Sequence, residues 1–267
     1  MSSNRVFVVA EIGVNHNGDG AFAKRLIDVA GQAGADAVKF QTYRASELEP
    51  PGPRRDMLAR LELIRWRYPR LRERAAGWGM EFFSTPFDVE SVAFLAEFGV
   101  RTMKLSSGHL QDEAMLRAVA DTGCRAILSS GMATMEDIGH ALEILPDATV
   151  LQCTSAYPAA LKDANVRAMQ TIRDIFGCPV GLSDHTEGSV AAVVATALGA
   201  SVIEKHITLD RSLPGPDHAM SADPAAFVDY VTAIRRATTC MGDGRKTVRD
   251  CEAPVMEIVA ARRAHAR

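Results

Sequence analysis

Short apolar runs rich in β-branched residues alternate with longer amphipathic runs from one end of the chain to the other. This alternation predicts successive βαβ units and a parallel sheet. Helix signals lie between the runs, including Asp88 shortly after a proline, Thr134 three residues before Asp137, and Asp223 followed by Pro224. Eight runs are typical of strands: VFVVAEIG, DAVKFQ, MEFFSTP, RTMKLSS, RAILSSG, TVLQCTS, CPVGLSD and SVIEKHI.

Eight strand–helix units predict an α/β fold of the (β/α)₈ TIM-barrel class in a single domain. The length of 267 residues is close to the roughly 250 residues typical of that barrel. The alternative is an open, doubly wound sheet, but the first strand leads into EIGVNHNGDG rather than a G-x-G-x-x-G phosphate loop. We expect the barrel to span residues 1–240, and residues 241–267 to form a C-terminal tail made of a loop and a short basic segment.

Composition excludes several classes of partner. The formal net charge of −3 gives no general attraction to nucleic acid or to an anionic membrane. No apolar run approaches the roughly 20 residues that span a bilayer, and the N-terminus lacks the pattern of a signal peptide, so a cytoplasmic protein is expected. Five scattered cysteines without a C-x-x-C pair indicate reduced thiols. Eight arginines between Arg54 and Arg74 favour a solvated helix face over an anion-binding strip.

Polar residues cluster where the predicted strands end. In a barrel of this class these carboxyl ends meet at one mouth, where catalytic groups are found. A barrel of purely structural purpose does not need this concentration of hydroxyl and ammonium groups. The predicted mouth residues are Glu11, Asn15 and His16; Lys39 and Gln41; Ser84 and Thr85; Lys104, Ser106 and Ser107; Ser129 and Ser130; Thr154 and Ser155; Ser183, Asp184 and His185; and Glu204, Lys205 and His206.

Lys39 and Lys104 follow apolar strands that have no solvent-facing side. Together with the repeated Ser and Thr hydroxyls they indicate a site for a small, strongly anionic ligand, because ammonium groups bind phosphate strongly in a partly dry cavity.

His185 and His206 close the seventh and eighth strands, which are neighbours in a barrel. The two rings can therefore share one ion, with Glu11, Glu204 and Asp217 close by. Mixed imidazole and carboxylate ligation suits Mn²⁺, Zn²⁺ or Fe²⁺. Strand alternation puts Glu204 and His206 on one side and Lys205 on the other, so Lys205 is a weaker candidate.

Nine motifs in order resemble those of the N-acylneuraminate (sialic acid) synthase family: AEIGVNHNGD, AGADAVKFQTY, FFSTPFD, KLSSG, ILSSGMAT, QCTSAYP, GLSDHT, IEKHITLD and PGPDHAMS. The likeness spans nearly the whole chain. It implies a (β/α)₈ barrel that condenses phosphoenolpyruvate with an aldose or N-acylamino sugar aldehyde, releases phosphate and forms a 2-keto sugar acid. It also implies a homodimer.

The resemblance further implies roles for individual residues. His185 and His206 would bind the divalent metal, with Mn²⁺ expected and Mg²⁺, Co²⁺, Fe²⁺ or Zn²⁺ as alternatives. Glu11, Tyr157, Glu204 and Asp217 would surround the sugar and its aldehyde as catalytic residues. The phosphate and carboxylate of phosphoenolpyruvate would be held by Lys39, Thr85, Lys104, Ser107, Ser129 and Ser183. Ser155 and His109, which occupy positions where the pattern varies, are further substrate-binding candidates.

Three features depart from the family pattern. SSGHL places His109 where many relatives carry a carboxylate, and Ser155 stands where some carry asparagine. Full-length relatives continue past the ARR motif into an antifreeze-like (SAF) domain, whereas this sequence ends at Arg267. We therefore expect that the acceptor pocket is completed differently, that a separate chain supplies the SAF domain, or that the aldehyde is a different one.

Two other functions stay open from the sequence. One is a barrel aldolase acting on a pyruvate unit, in which a Schiff-base version would need a desolvated lysine and no metal. The other is a catalytically lapsed synthase that acts as a binding protein. The intact lysines and histidines favour the metal-dependent synthase over both.

Overall fold

A computed structural model of the protein describes residues 5–266, in which eight parallel strands form a closed barrel in sequence order. This confirms the predicted (β/α)₈ fold. The strands are β1 Phe7–Gly13, β2 Ala37–Thr42, β3 Glu81–Pro86, β4 Thr102–Leu105, β5 Arg125–Ser129, β6 Thr149–Cys153, β7 Val180–Asp184 and β8 Val202–His206. The helices are α1 Gly20–Ala33, α2 Ala45–Leu48, α3 Pro53–Leu61, α4 Tyr68–Gly77, α5 Val89–Phe98, α6 Glu113–Asp121, α7 Met135–Ile144, α8 Ala168–Phe176, α9 Val190–Ala197, α10 Pro224–Met241 and α11 Ala253–His265.

The helices begin at the predicted capping residues. Asp88 accepts a hydrogen bond from the backbone of Ser91, and Asp223 caps α10 in the same way. Thr134 and Asp137 form a reciprocal capping box at the start of α7. Each cap satisfies backbone N–H groups that have no partner within their own helix, which fixes where the chain turns from strand to helix.

The barrel interior has two layers. Because side chains alternate along a strand, every second residue faces inward. The lower layer is apolar and consists of Val9, Ala37, Phe83, Ile127, Leu151 and Val202. Two residues further along the same strands, the upper layer is polar: Glu11, Lys39, Thr85, Ser129, Cys153 and Glu204. The lower layer therefore forms an apolar core, and the polar side chains of the upper layer line a pocket.

Gly181 is the inward residue of β7 at the level of the lower layer. A Cβ atom at this position would overlap the backbone carbonyl of Val202 and the side chain of Leu151. The close approach of β7 and β8 therefore depends on glycine at this position.

The connection from β2 to β3 is longer than the others and contains α2, α3 and α4. The arginine-rich stretch lies here. Arg65 pairs with Glu90 on α5 at 3.0 Å, and Arg74 pairs with Asp28 on α1 at 2.6 Å. These arginines join neighbouring helices at the surface, which agrees with the predicted solvated face.

Residues 241–267 were predicted as a loop and a basic tail. Within this segment the structure has the helix α11, and its described residues are exposed. Across residues 5–266, no helix combines the length and the apolar character needed to cross a bilayer.

Candidate active site

The polar upper layer and the strand ends above it line a small cavity, which we call the inner pocket. Its ionisable groups are buried: Lys39 and Lys104 are 3% and 4% exposed, and Glu11 and Glu204 are 1% and 3% exposed. The predicted convergence is therefore found for most strand ends, but seven of the predicted mouth residues line neither this pocket nor the cavity above it: Asn15, His16, Ser84, Ser130, Thr154, Asp184 and Lys205. Several of these face away from the barrel axis because side chains alternate along a strand. The residues that line the inner pocket are Glu11, Lys39, Gln41, Thr85, Phe87, Lys104, Ser106, Ser107, Ser129, Cys153, Tyr157, Ser183, His185, Glu204 and His206.

Two lysines and two glutamates form a connected network in this pocket. The Nζ of Lys39 lies 2.9 Å from Glu11 Oε2 and 3.8 Å from Glu204 Oε2, and it donates to Thr85 Oγ1 at 2.7 Å. Lys104 Nζ donates to Glu204 Oε1 and, at 3.3 Å, to Ser183 Oγ. Each buried charge has a partner, as a stable low-dielectric site requires.

The two glutamates have opposite pKa shifts. Burial raises the pKa of Glu11 to about 7, because desolvation of its carboxylate outweighs the attraction of Lys39. Burial acts in the same direction on Glu204, but the ammonium groups of Lys104 and Lys39 outweigh it and lower the pKa to about 2. Glu204 is therefore a fixed anion, whereas Glu11 can accept or donate a proton near neutral pH.

Hydroxyl groups surround the lysines. The hydroxyls of Thr85 and Ser183 contact the lysine ammonium groups directly. Ser129 Oγ is buried and has no hydrogen-bond partner among the described residues. A buried hydroxyl without a partner is costly unless a ligand or a water satisfies it, so Ser129 marks where a polar ligand would lie.

The two predicted histidines lie side by side at the mouth. The ring centroids of His185 and His206 are 5.6 Å apart. His185 Nδ1 is 2.8 Å from the carbonyl oxygen of Thr154. Donation of the Nδ1 proton to this carbonyl leaves the lone pair on Nε2. His206 Nδ1 is buried with no hydrogen-bond partner among residues 5–266, and it lies 3.7 Å from Asp217 Oδ2.

This arrangement fits a divalent metal with an open coordination shell. Metal–imidazole bonds of about 2.1 Å allow two rings at this separation to share one ion. An imidazole whose other nitrogen is fixed by a backbone carbonyl is a common form of metal ligand. Burial, and then the neighbouring His185, lower the pKa of His206, which keeps its ring neutral and able to bind. Residues 5–266 contain no group of three or more His, Cys, Asp or Glu side chains spaced as a complete metal site.

A second cavity opens above the inner pocket, and we call it the outer chamber. Five predicted site residues line it: Ser107, Ser155, Tyr157, His206 and Asp217. Tyr157 packs against both histidines, with ring centroids 4.2 Å from His185 and 6.2 Å from His206. The outer chamber also contacts α3 through Arg54, Met57, Leu58 and Leu61.

His109 lies outside the lining of both cavities. Its Nδ1 is 2.9 Å from Ser106 Oγ, and its ring packs edge-on against Phe87 at 5.4 Å. Burial lowers the pKa of His109, which favours a neutral ring. The structure therefore places His109 behind two lining residues.

Some lining residues were given no functional role by the sequence or were missed. Gln41, predicted only as a mouth residue, donates to Glu11 Oε1 at 3.3 Å, and Cys153, which was missed, lies 3.8 Å from His185 Nδ1. Strand alternation was sufficient to find Cys153, because it lies two residues after inward-facing Leu151. The α3 side chains carry no such signal, since they belong to an insertion between strands.

The fold and the inner pocket together define a TIM barrel with a buried, charged pocket at the carboxyl ends of its strands. Comparison with known proteins makes this specific. The chain belongs to the NeuB family, whose model matches residues 26–246. Its relatives are synthases, and the chain is an enzyme of the carbon–carbon bond-forming class.

The similarity extends over almost the whole chain. It is 41% identical to the N,N'-diacetyllegionaminic acid synthase of Legionella pneumophila, across 97% of this chain and 79% of that protein. It is 34% identical to the human N-acetylneuraminate-9-phosphate synthase, across 92% of this chain and 74% of that protein. The crystal structure of the N-acetylneuraminic acid synthetase from Leptospira borgpetersenii, in complex with citrate, superposes with a TM-score of 0.89 at 36% identity. That match covers 96% of this chain and 92% of the other.

Proposed function

We propose that this enzyme condenses phosphoenolpyruvate with the aldehyde of an N-acylamino sugar or related aldose, with the help of a divalent metal, to form a 2-keto sugar acid and phosphate. The observation that carries the proposal is the inner pocket, where two buried lysines lie beside two histidines and a serine hydroxyl that no described residue hydrogen-bonds. The names of the relatives support a sugar-acid product.

The anionic substrate would occupy the inner pocket. Lys39 and Lys104 supply positive charge, and the hydroxyls of Thr85, Ser129 and Ser183 lie around them. Hydrogen bonds to charged groups contribute about 1.5–3 kcal/mol each. Because phosphate and carboxylate oxygens carry the charge of phosphoenolpyruvate, this pocket would hold its three-carbon unit with C3 directed toward the outer chamber.

The sugar aldehyde would occupy the outer chamber. Tyr157, Ser155 and Asp217 offer polar contacts, while Met57, Leu58 and Leu61 offer an apolar wall. His206 lines both cavities, so the histidine pair lies at their junction. The aldehyde carbon would therefore meet C3 of phosphoenolpyruvate beside the proposed metal ligands.

In the reaction C3 of phosphoenolpyruvate attacks the aldehyde carbon, and a water adds to C2. The bond between C2 and the phosphate oxygen then breaks, which releases phosphate and leaves a keto group at C2. His185 and His206 would hold the divalent metal, for which Mn²⁺ is our first candidate, and a bound cation would polarise the aldehyde oxygen. Glu11 can supply the proton that the aldehyde oxygen gains or accept one from the attacking water, because its pKa is about 7.

A Schiff-base aldolase is less consistent with the site. Burial acts to lower the pKa of Lys39, but Glu11 and Glu204 outweigh it and raise that pKa, which keeps the amine protonated. Lys205 does have a pKa lowered by burial, yet it is absent from the inner-pocket lining.

The test is incubation with phosphoenolpyruvate, Mn²⁺ and a panel of aldoses and mono- or di-N-acylated amino sugars, with and without a phosphate ester. Released phosphate and the mass of the product are measured. We expect one acceptor to give stoichiometric phosphate and a new 2-keto acid, and a chelator to abolish both. Turnover that survives chelation would favour the alternative of a metal-independent barrel aldolase. Binding of phosphoenolpyruvate without turnover of any acceptor would favour the alternative of a catalytically lapsed synthase that acts as a binding protein.

A further inference from the structure

The outward-facing side of β7 and β8 carries a polar cluster that the proposed reaction does not use. Asp184 and Lys205 are register partners on these two strands, and Tyr230 of α10 packs over them. The three residues are 2%, 4% and 2% exposed. They lie between sheet and helix, on the opposite side of the strands from Ser183 and Glu204.

Asp184 is the centre of this cluster. Its Oδ2 accepts a hydrogen bond from Tyr230 Oη at 2.8 Å and pairs with Lys205 Nζ at 3.3 Å. Its Oδ1 accepts from both the backbone N–H and the hydroxyl of Thr186, at 2.8 and 2.7 Å. Lys205 Nζ in turn donates to the carbonyl oxygen of Thr186.

The residues that make these contacts are direct sequence neighbours of the two histidines. Asp184 and Thr186 are the residues on either side of His185, and both are fixed by the cluster. Lys205 directly precedes His206 in the chain. A shift of any member would therefore move the backbone that carries a histidine ring.

We propose that Asp184, Lys205 and Tyr230 are positioning residues that hold His185 and His206 in the relative orientation needed to bind one divalent cation. The inference rests on the proposed metal role of the two histidines. A buried ion pair adds little net stability compared with apolar residues of similar size, so stability alone does not account for this cluster. Groups that orient metal ligands commonly affect metal affinity by roughly 10- to 100-fold.

The test compares Tyr230→Phe and Asp184→Asn with a matched control, Tyr68→Phe. Tyr68 is also fully buried, and its Oη lies 2.8 Å from Thr42 Oγ1, far from the histidines in sequence. Mn²⁺ affinity is measured by electron paramagnetic resonance without substrates. We expect both cluster variants to weaken Mn²⁺ binding about 10- to 100-fold and Tyr68→Phe to leave it unchanged, while thermal unfolding reports any general loss of stability.

A second measurement does not depend on the metal. Long-range ¹⁵N–¹H spectra of the metal-free protein should show a single Nδ1–H tautomer for His185 in the wild type and in Tyr68→Phe, and a mixture in Tyr230→Phe. Unchanged spectra and Mn²⁺ affinity in Tyr230→Phe would overturn the proposal, as would equal losses in Tyr68→Phe. If the wild type itself binds no Mn²⁺, the metal part of the proposed function fails, and the tautomer spectra still decide whether the cluster orients His185.

Discussion

Glu11 and Glu204 share one counter-ion, since Lys39 Nζ lies 2.9 Å from the first and 3.8 Å from the second. Glu204 also binds Lys104, whereas within residues 5–266 Glu11 has no second ammonium group in hydrogen-bonding contact. This asymmetry explains why one carboxyl group keeps its charge and the other titrates near neutrality. It supports the proposed role of Glu11 in proton transfer.

The first prediction concerns stability against pH. Folded Glu11 keeps its proton up to about pH 7, whereas an unfolded glutamate releases it near pH 4.5. The folded state therefore binds more protons in this window, and the contribution of Glu11 to the free energy of unfolding falls as pH rises from 4.5 through 7, by on the order of 3 kcal/mol. Urea unfolding of the metal-free Glu11→Gln variant should lack this slope.

The difference in slope between wild type and Glu11→Gln reports the contribution of Glu11, because both proteins retain the same histidines. His206 has a lowered pKa, so its contribution is lost as pH falls through its unfolded value near 6.5, and it cancels between the two proteins. Equal slopes for wild type and Glu11→Gln would contradict the raised pKa.

The second prediction distinguishes a substrate-binding role of Ser129 from a structural role of the adjacent Ser130. Ser129 Oγ has no hydrogen-bond partner in the part of the chain that the structure describes, so Ser129→Ala should leave the melting temperature unchanged. It should raise KM for phosphoenolpyruvate about 10- to 100-fold, through loss of a hydrogen bond to a charged ligand. Ser130 Oγ donates to the carbonyl oxygen of Leu151 at 3.0 Å. Ser130→Ala should do the reverse, lowering stability by about 1 kcal/mol with KM unchanged. Steady-state kinetics and calorimetry would show both, and a KM unaffected by Ser129→Ala would remove this residue from the substrate site.

The third prediction tests the histidine pair. His185→Ala or His206→Ala should abolish Mn²⁺ binding and condensation together, because each removes one of two proposed ligands. His140→Ala, at a half-exposed position on α7, is the control and should behave as the wild type. Metal content and product formation are measured on the same samples. Condensation that persists in either pocket variant would refute the metal role.

The fourth prediction concerns barrel closure. Gly181→Ala places a methyl group against the Val202 carbonyl, and it should lower the free energy of unfolding by about 1–3 kcal/mol. It should also reduce turnover, since Ser183 and Glu204 lie on the strands that would separate. Gly77→Ala meets nothing within 4 Å and should be neutral or stabilising by up to about 1 kcal/mol. Similar unfolding curves for both variants would argue against the close approach of β7 and β8.

The sequence was sufficient for the barrel and for the inner pocket because both follow from strand periodicity. Lys39, Lys104, His185 and His206 each end a run whose alternation is readable, and parallel strands bring their ends together without further information. The outer chamber was harder to predict from the sequence. Its wall on α3 comes from an insertion with no periodic relation to the strands, and the position of His109 depends on a short 3₁₀ turn after β4.

The separation of the barrel interior into an apolar layer and a polar layer has a consequence for divergence within such enzymes. Mutations in the strand ends and loops can change the acceptor while the residues that determine folding, two positions earlier on each strand, remain untouched. New substrate preferences can therefore arise in this architecture with little loss of foldability.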